Sequence, residues 1–473
     1  MKTIKTLCFL CFIALIWQSC KKEYAFLEGP GSVNFSEDTV FFDTVFTRLN
    51  GSNYPRSITK KMVVSNPYKQ SIKLNVKVMG GTQSAYRINI DGQTGRNIND
   101  IELLPKDSAW VFVEASLTPN NQMQAAIVRD SISFEINGKQ TFVQLAAYGW
   151  DAYYLKDTVF NQSTTLNATD KPYVIVNTVF VDKNTTLNIG AGTHFYASPN
   201  AFIVSNNKKI NLGSINVFGT LKINGTQANP VIFEGDRLDA NYQNTPGQWR
   251  GIHYWRGSTN NEIIHAIIKN ATVGLQIDSL PEAGTYGLSV KQSIIKNCSA
   301  YGVLGLTAKT YFENSIISHC GSNTFIGYIG GDYTFKHCSF YNPSNGRKDA
   351  QILFNNVLRD ENNAVIKNYD LKLNLINSIL WGALDNELSL DVNQALFTPI
   401  MNHCIYKSKN NYNAWGSNNL KNIDPLFKDV NQWDLSLNAG SAAINQADAN
   451  NSCVTDINDK TRDAQPDIGA IEF

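Results

Sequence analysis

The chain has 473 residues and is almost neutral, with 41 Lys and Arg residues against 40 Asp and Glu residues. Because no basic surplus is present to release counterions from a phosphate backbone, the composition excludes nucleic acid as an expected partner. Charged residues make up only 17% of the chain, whereas Tyr and Phe are plentiful, at 20 and 24. Aromatic and β-branched residues set between turn-forming Asn and Gly indicate a protein of strands and turns.

Residues 1–19 carry the pattern of a secretory signal peptide. Their apolar run, over residues 7–17, is shorter than the roughly 20 residues that span a bilayer. The run leads to Ser19 and Cys20, and a small residue followed by cysteine resembles the lipobox of bacterial lipoproteins. This resemblance implies lipidation of Cys20, a tether over residues 20–31, and attachment to a membrane through the acyl chains. An ordinary signal peptide with an incidental cysteine is the alternative.

Residues 32–150 show the alternating pattern of antiparallel strands. In "AWVFVEASL", Val111 and Ala115 can face one side of a strand while intervening residues face the other. Asn137-Gly138 lies between two alternating runs and predicts a tight hairpin. Several short strands at this spacing predict an immunoglobulin-like β-sandwich. The stretches "FFDTVFT", "YRINIDG" and "DSAWVFVEASLTPNN" also resemble the N-terminal domain of a group of lipoproteins from Bacteroidetes.

Residues 151–423 repeat a different unit, in which a short apolar strand, a turn with Gly or Asn, and another short strand follow one another. "INVFGTLKINGTQANPVIFEGD" is one example, and no helical period intervenes. Strands this short, at such irregular spacing, do not suit an antiparallel sheet. Each strand is therefore predicted to stack on the equivalent strand one turn earlier, as in a parallel β-helix.

Six similar runs end in Asn or His followed by a small residue, and they predict how the coils stack. The small residues are Ala271, Cys298, Cys320, Cys338, Ser378 and Cys404. We expect them to fill one interior corner as small apolar groups, while the preceding Asn and His form a hydrogen-bonded ladder along the axis. Disulfides are disfavoured because in-register Cβ vectors point the same way. A zinc site is disfavoured because adjacent His and Cys on a strand face opposite sides.

Residues 424–473 carry the most specific resemblance. "NIDPLFKD", "LSLNAGSAAINQAD" and "DAQPDIGAIEF" are similar to the terminal signature of right-handed parallel β-helix proteins of the pectate-lyase-like superfamily. The resemblance implies a right-handed coil that this segment closes as a cap, because the end of a solenoid exposes an apolar cross-section. Within the cap, Arg462 is expected to pair with Asp456, Asp463 or Asp467.

The richest candidate surface is "FEGDRLDANYQNTPGQWRGIHYWRG", in which aromatic and charged residues suit a sugar ligand. Aromatic rings stack on the apolar faces of sugars, and polar groups bind the hydroxyls. The predicted binding residues are Trp249, Arg250, Tyr254, Trp255 and Arg256. If the coils stack as predicted, Asp236 and His253 could lie one coil apart and act as acid and base. In the alternative, Trp249 packs in the core and Asp236 pairs locally.

The family resemblance leaves the activity open, because this superfamily includes lyases, hydrolases and non-catalytic proteins. The preferred hypothesis is a non-catalytic, membrane-anchored extracytoplasmic lipoprotein whose β-helix flank binds a polysaccharide or an envelope protein. The alternative is a polysaccharide lyase or glycoside hydrolase, although the N-T-D, Asp-Asp and G-H-G motifs of the related hydrolases do not occur. No cofactor is expected, with calcium as the alternative because lyases of this superfamily neutralise a uronate with calcium or a cationic group. The expected location is the outer membrane or cell surface, with the periplasmic face as the alternative.

Overall fold

Strands make up most of the fold, as the composition predicts. The computed structural model describes residues 24–48, 59–119, 126–198, 202–205, 208–211, 213–278 and 286–473. Cys20 and the predicted signal peptide lie outside the described residues. Short 3-10 helices occur at Gly81–Gln83, Gln394–Leu396, Asn413–Trp415, Val430–Gln432 and Ala449–Asn451. Within these ranges, no helix has the length and apolar character needed to cross a membrane.

One compact unit lies within Met1–Val45, Arg56–Thr118 and Ala126–Gly149. The N-terminal strands are β1 (Asn34–Phe35), β2 (Thr39–Phe46), β3 (Thr59–Ser65), β4 (Ile72–Val78), β5 (Tyr86–Ile90), β6 (Gln93–Gly95), β7 (Asn97–Leu103), β8 (Ser108–Ala115), β9 (Ala126–Ile136) and β10 (Lys139–Trp150). They form two five-stranded sheets, ordered β1-β3-β8-β5-β6 and β2-β10-β9-β4-β7. Inward side chains of both sheets, such as Val111, form one apolar core. The hairpin predicted at Asn137-Gly138 is confirmed as the antiparallel β9–β10 turn.

A second compact unit lies within Phe46–Pro55, Pro119–Ala125 and Trp150–Phe473. Its first strands are β11 (Tyr153–Phe160), β12 (Thr164–Leu166), β13 (Tyr173–Val181), β14 (Thr186–Gly190), β15 (His194–Ser198), β16 (Phe202–Ser205), β17 (Lys208–Asn211), β18 (Ser214–Val217), β19 (Thr220–Asn224), β20 (Val231–Gly235), β21 (Gly251–Tyr254), β22 (Asn261–Ile264), β23 (Ala266–Lys269), β24 (Val273–Asp278) and β25 (Leu288–Lys291). The remaining strands are β26 (Ile294–Lys296), β27 (Tyr301–Glu313), β28 (Ile316–Ser318), β29 (Asn323–Lys336), β30 (Ser339–Asn342), β31 (Ile352–Asn355), β32 (Val357–Arg359), β33 (Val365–Asn368), β34 (Leu371–Ile376), β35 (Ile379–Gly382), β36 (Leu388–Asp391), β37 (Phe397–Asn402), β38 (Ile405–Tyr406), β39 (Leu420–Lys421), β40 (Phe427–Asp429) and β41 (Asp434–Leu437). A sheet of 25 strands links most of them, whereas β16–β17, β32–β33 and β40–β41 form separate pairs.

Three ladders of parallel strands form the sides of a coil. The first ladder contains β18, β21, β24, β27, β29, β31 and β36. The second contains β14, β19, β22, β25, β27, β29, β34 and β37. The third contains β15, β20, β23, β26, β28, β30, β35 and β38. This winding of parallel strands, each stacked on the strand one coil before, is consistent with the predicted β-helix.

Stacked aromatic rings run through the interior from coil to coil. The ring centroids of Tyr173 and Phe195 are 4.9 Å apart, and those of Phe195 and Phe233 are 4.8 Å apart. Trp249 continues this stack at 6.4 Å from Phe233. Each of these side chains is buried, and removing such a ring from water stabilises the fold by about 1.5–3 kcal/mol.

The small residues of the repeated runs fill two interior corners instead of the single predicted column. Cys298 and Cys320 lie two residues after strands of the third ladder, whereas Cys338 and Cys404 directly precede strands of that ladder. These thiols are buried and free. Each donates to the backbone carbonyl two residues earlier, at 3.3–3.8 Å. They therefore pack as small apolar groups.

Residues in the left-handed backbone conformation stand at both ends of these strands. This explains why the six runs, which belong to two corners, were predicted to share one. Asn314 and His319 flank β28 with φ of 44° and 54°. Positive φ is costly for most side chains but less so for Asn and His, so the same residue types recur at both corners. The predicted ladder forms only in part. Asn297 Nδ2 donates to Asn270 Oδ1 at 2.8 Å, and Asn377 Nδ2 contacts His337 Nε2 at 3.0 Å at the other corner, but His319 Nε2 contacts the Val430 carbonyl instead.

The segment 424–473 lies along the flank of several coils, which differs from the cap over the last coil that the sequence predicts. Gly469 N donates to the Asn377 carbonyl at 2.8 Å, and Gln292 Nε2 donates to the Asp456 carbonyl at 3.2 Å. These contacts join the segment to successive corners of the coil. The last coil instead carries its own aromatic cover, which includes stacked rings of Tyr412 and Trp415 with centroids 4.3 Å apart.

Arg462 pairs with Glu472 and not with the predicted aspartates. The Nη1–Oε2 distance is 2.8 Å, and both side chains are almost fully buried. Asp467 accepts instead from the backbone N–H of Asn445, and Asp456 accepts from the backbone N–H of Glu472. The acidic residues of the terminal signature therefore hold this segment in its own fold.

Candidate functional site

Three aromatic side chains form a continuous surface across successive coils, which we call the aromatic ledge: Phe180, Phe218 and Trp255. Phe180 belongs to β13, and the other two directly follow β18 and β21. The ring centroids of Phe180 and Phe218 are 6.4 Å apart, and those of Phe218 and Trp255 are 5.4 Å apart, with nearly parallel planes. Trp255 remains 38% exposed. Phe218 and Trp255 are in register because Val217 pairs with Tyr254, whereas Phe180 pairs with Asn216 and lies two residues away from the position opposite Phe218. Phe180 and Phe218 are half-buried and Trp255 is exposed, so the stack ends at the solvent in the ring of Trp255, at one edge of the first ladder.

Polar side chains fix the orientation of Trp255 and border the ledge. The indole Nε1 donates to Asn216 Oδ1 at 2.9 Å. The His253 ring lies 4.1 Å from the Trp255 ring, and His253 Nε2 contacts Asp278 Oδ2 at 2.6 Å. Gln276 donates to the other oxygen of Asp278 at 3.1 Å. A locked aromatic ring beside hydrogen-bonding groups is the arrangement expected for binding a partly apolar, hydroxyl-rich ligand.

The charge of Asp278 is stabilised at this site. Partial burial alone would raise its pKa, but hydrogen bonds from His253 and Gln276 outweigh burial and lower the pKa of Asp278 below its usual value. The carboxylate is therefore ionised at neutral pH, and its two oxygens serve as acceptors.

Two of the predicted binding residues point into the core. Trp249 and Tyr254 are 0% and 1% exposed, and Trp249 Nε1 donates to the Lys269 carbonyl. Side chains alternate along β21, so Ile252 and Tyr254 point inward while His253 and the adjoining Trp255 point outward. The prediction was wrong for Trp249 and Tyr254 because it selected residues by type and did not apply this alternation.

The two predicted arginines are both exposed but occupy different places. Arg256 directly follows Trp255 and adjoins the ledge, whereas Arg250 precedes β21 at the opposite end of the strand. Only Trp255 and Arg256 of the predicted set therefore belong to the exposed surface at the ledge.

The predicted acid–base pair of Asp236 and His253 does not form. Asp236 follows β20 of the third ladder, whereas His253 lies on β21 of the first ladder and pairs with Asp278. Burial raises the pKa of Asp236 to about 7, against a smaller opposing effect of the Ser198 hydroxyl. Asp236 is thus an enclosed side chain away from the ledge.

Sequence reasoning missed four residues of the site: Phe180, Phe218, Asn216 and Asp278. The registers Phe180↔Asn216, Asn216↔His253 and His253↔Gln276 place residues of successive coils in one row. The signal that could have found them was the strand alternation, once the coil length was known.

In the described ranges, no group of three or more His, Cys, Asp and Glu side chains could hold a metal ion, and the cofactor prediction stays a prediction.

No protein-family model matches the sequence, and neither does any curated protein. The chain is similar to the solved structure of the Agl-KA catalytic domain, at 10% identity over 74% of this chain and 76% of that chain, with a TM-score of 0.25. It is also similar to the catalytic unit of the GH87 α-1,3-glucanase of Streptomyces thermodiastaticus strain HF3-3, at 11% identity over 73% of each chain, with a TM-score of 0.27. A protein of unknown function from Porphyromonas gingivalis W83 matches 28% of this chain and 61% of its own, at 13% identity and a TM-score of 0.19. At these TM-scores the similarities carry no argument about the activity of this chain.

Proposed function

We propose that this protein is a non-catalytic extracytoplasmic lipoprotein that binds a glycan along the aromatic ledge. The observation that carries the proposal is the stack of Phe180, Phe218 and Trp255 across three coils, with Trp255 exposed and locked by Asn216. The exposed ring of Trp255, continued by the half-buried rings of Phe218 and Phe180, offers apolar contact surface to a sugar chain. The bordering acceptors of Asp278 suit the sugar hydroxyls.

The state of the nearby acids favours binding over hydrolysis. A glycosidase needs one carboxyl group that is protonated and one that is ionised, both facing the sugar. Asp278 is held ionised at the ledge, and Asp236, whose pKa is about 7, is enclosed elsewhere. The alternative glycoside hydrolase would need, besides the ionised Asp278, a protonated acid that faces the same sugar, and Asp236 does not supply it because it lies on another ladder.

The finer affiliations are parts of the same proposal and rest on the sequence alone, the first on its strand pattern and the others on resemblance. They comprise an immunoglobulin-like N-terminal unit, a right-handed coil of the pectate-lyase-like superfamily, and a Bacteroidetes-type lipoprotein anchored at the outer membrane or cell surface. Lipidation at Cys20 is tested by metabolic labelling with an alkyne fatty acid. Label on the wild type that disappears in Cys20→Ala supports the anchor, and equal label on both proteins contradicts it.

Glycan binding is tested by a glycan array followed by titration calorimetry on each ligand found. Trp255→Ala is expected to weaken binding about tenfold or more, because it removes the exposed ring of the ledge. Trp110→Ala is the matched control, because Trp110 is also an exposed tryptophan, 51% accessible, on β8 of the other unit. Silence of the wild type on every glycan, or equal loss in both variants, would refute the proposal.

A further inference from the structure

The C-terminal segment, residues 424–473, covers outward apolar side chains of the third ladder. Ile316 of that ladder packs with Leu435 of the segment, and Ile379 packs with Ile468. All four side chains are buried. Departure of the segment from the coil would therefore expose an apolar strip to water.

Four of the six histidines stand at the corners that border this strip, and each contacts the segment: His265, His319, His337 and His403. All four have positive φ, between 45° and 54°. His265 Nε2 lies 3.3 Å from the carboxylate of Asp459. Each of the other three donates one ring N–H to a backbone carbonyl of the segment. The charge of these rings therefore acts directly on the contacts that hold the segment.

His319 is bound as a neutral ring. Its Nε2 donates to the Val430 carbonyl at 3.1 Å, while its Nδ1 is buried and has no hydrogen-bond partner among the described residues. The rings of Tyr341 and Trp433 flank it, and the ammonium of Lys296 is a nearby charge. A proton on Nδ1 would be buried without an acceptor. Burial lowers the pKa of His319 to about 4, with a smaller effect of Lys296 in the same direction and an opposing effect of the bond to Val430.

His337 is fully buried and is also bound as a neutral ring. Its Nδ1 donates to the Gly469 carbonyl at 3.3 Å, and its Nε2 accepts from Asn377 Nδ2 at 3.0 Å. The Asn377 amide is held in this orientation because its oxygen accepts from the backbone N–H of Asp448. The Ser452 hydroxyl also contacts Nε2, at 2.9 Å. A proton on Nε2 would therefore face the N–H group of a fixed amide.

The charged side chains that face His337 are cations. Burial is the largest cause that lowers its pKa well below the usual value, and Arg462 and Lys336 add to it, whereas hydrogen bonds with the backbone of Gly469 and Asp467 oppose it. Once the segment leaves, both rings meet water and return toward their ordinary pKa of 6.5. Below that pH the open state binds more protons than the closed state, so opening becomes more favourable as the pH falls.

The other two histidines favour the closed state in acid, but by less. A protonated His265 would attract Asp459, which is 48% exposed, and a pair that water screens contributes little. His403 faces Asp448 across a contact that solvent also reaches. Hydrogen bonding, chiefly from Asn451, lowers the pKa of Asp448 below 3.8, so this carboxylate stays ionised when the histidines titrate.

We propose that His319 and His337 form a pH-sensitive latch, which holds the C-terminal segment on the coil while both rings are neutral and releases it in moderately acidic solution, near pH 5. Protons are the signal, and the outcome is exposure of the apolar strip beneath the segment. The inference is independent of glycan binding at the aromatic ledge.

The test is hydrogen exchange of the protein at about pH 7.5 and about pH 5, with each rate compared with the intrinsic rate at the same pH. From the pKa of His319 in the closed and open states, opening should become about 30-fold more favourable at the lower pH, and His337 should add to this. The protection of the Gly469 and Ala470 amides, which bind Asn377 O and Ser339 Oγ, should fall by that factor or more. Protection in β10 of the other unit should stay unchanged.

The double variant His319→Gln with His337→Asn should suppress this fall to less than about threefold. Gln places an amide N–H near the position of Nε2, Asn places one near Nδ1, and neither side chain takes up a proton in this range. Each single replacement should remove part of the fall.

His265→Asn is the matched control. His265 occupies the same kind of corner, with φ of 45°, but its partner is a carboxylate, so the fall in protection should persist in this variant. Protection in the wild type that is equal at both pH values, an equal fall in β10, or a full fall in the double variant would overturn the proposal.

Discussion

Replacing Glu472 by Gln should release the C-terminal segment from the flank of the coil. The substitution preserves the shape of the side chain but removes the charge that compensates Arg462, of which only 1% is exposed. An uncompensated buried charge costs about 3–5 kcal/mol. The free energy of opening the segment should fall by that amount, which corresponds to roughly two to three and a half orders of magnitude in the opening equilibrium.

Hydrogen exchange measures this opening at defined amides. The backbone N–H groups of Gly469 and Ala470 donate to Asn377 O and Ser339 Oγ, so both become exchangeable when the segment leaves the coil. Their exchange should accelerate by the same factor in Glu472→Gln.

The matched control for this experiment is Glu114→Gln. Arg87 and Glu114 form the same kind of pair at 2.6 Å, but their side chains are 54% and 43% exposed. An exposed pair contributes about 0–1 kcal/mol, so stability should hardly change. Unchanged exchange at Gly469 in Glu472→Gln, or a stability loss in Glu114→Gln as large as the predicted one, would refute the reasoning.

Two further predictions concern buried groups of the coil. Cys298 and Cys404 are buried and should not react with a thiol reagent until the protein unfolds. A hydrogen bond with Cys320, and then burial, raise the pKa of Cys298, and burial raises the pKa of Cys404 to about 12. Rapid labelling of either thiol in the folded protein would contradict this packing. The pKa of Lys296 is about 8 in the folded protein and 10.5 in its ordinary state, so the unfolded chain binds more protons between these values. Stability should therefore rise between pH 8 and 10.5, by on the order of 1–3 kcal/mol, and this rise should be absent in Lys296→Met when urea unfolding is followed at several pH values.

The sequence predicts the stacking of strands better than it predicts which corner a residue occupies. The alternating short runs before Cys298 and Cys338 both indicate a strand bounded by Asn or His. Because the left-handed conformation occurs at both ends of such a strand, the residue types alone cannot distinguish the two corners. The register of neighbouring coils, which depends on loop lengths, decides between them.

Only part of the candidate site was predicted, and the reason is similar. Trp255 was identified by its residue type, and the alternation within "GIHYW" could have separated it from the buried Tyr254. Phe180 and Asp278 were missed because they come from neighbouring coils, and only the coil length brings them to the ledge. Likewise, Arg462 was expected to pair, but its partner Glu472 is selected by the three-dimensional path of the C-terminal segment.

The most direct test of the central claim is fluorine NMR of protein labelled with fluorotryptophan, with the Trp255 resonance assigned from Trp255→Phe. On titration with a glycan found on the array, the account predicts a saturable shift of the Trp255 resonance, while the resonance of Trp110, the exposed tryptophan of the other unit, stays unchanged. Binding measured by calorimetry without any shift at Trp255 would show that the sugar lies elsewhere and would contradict the account.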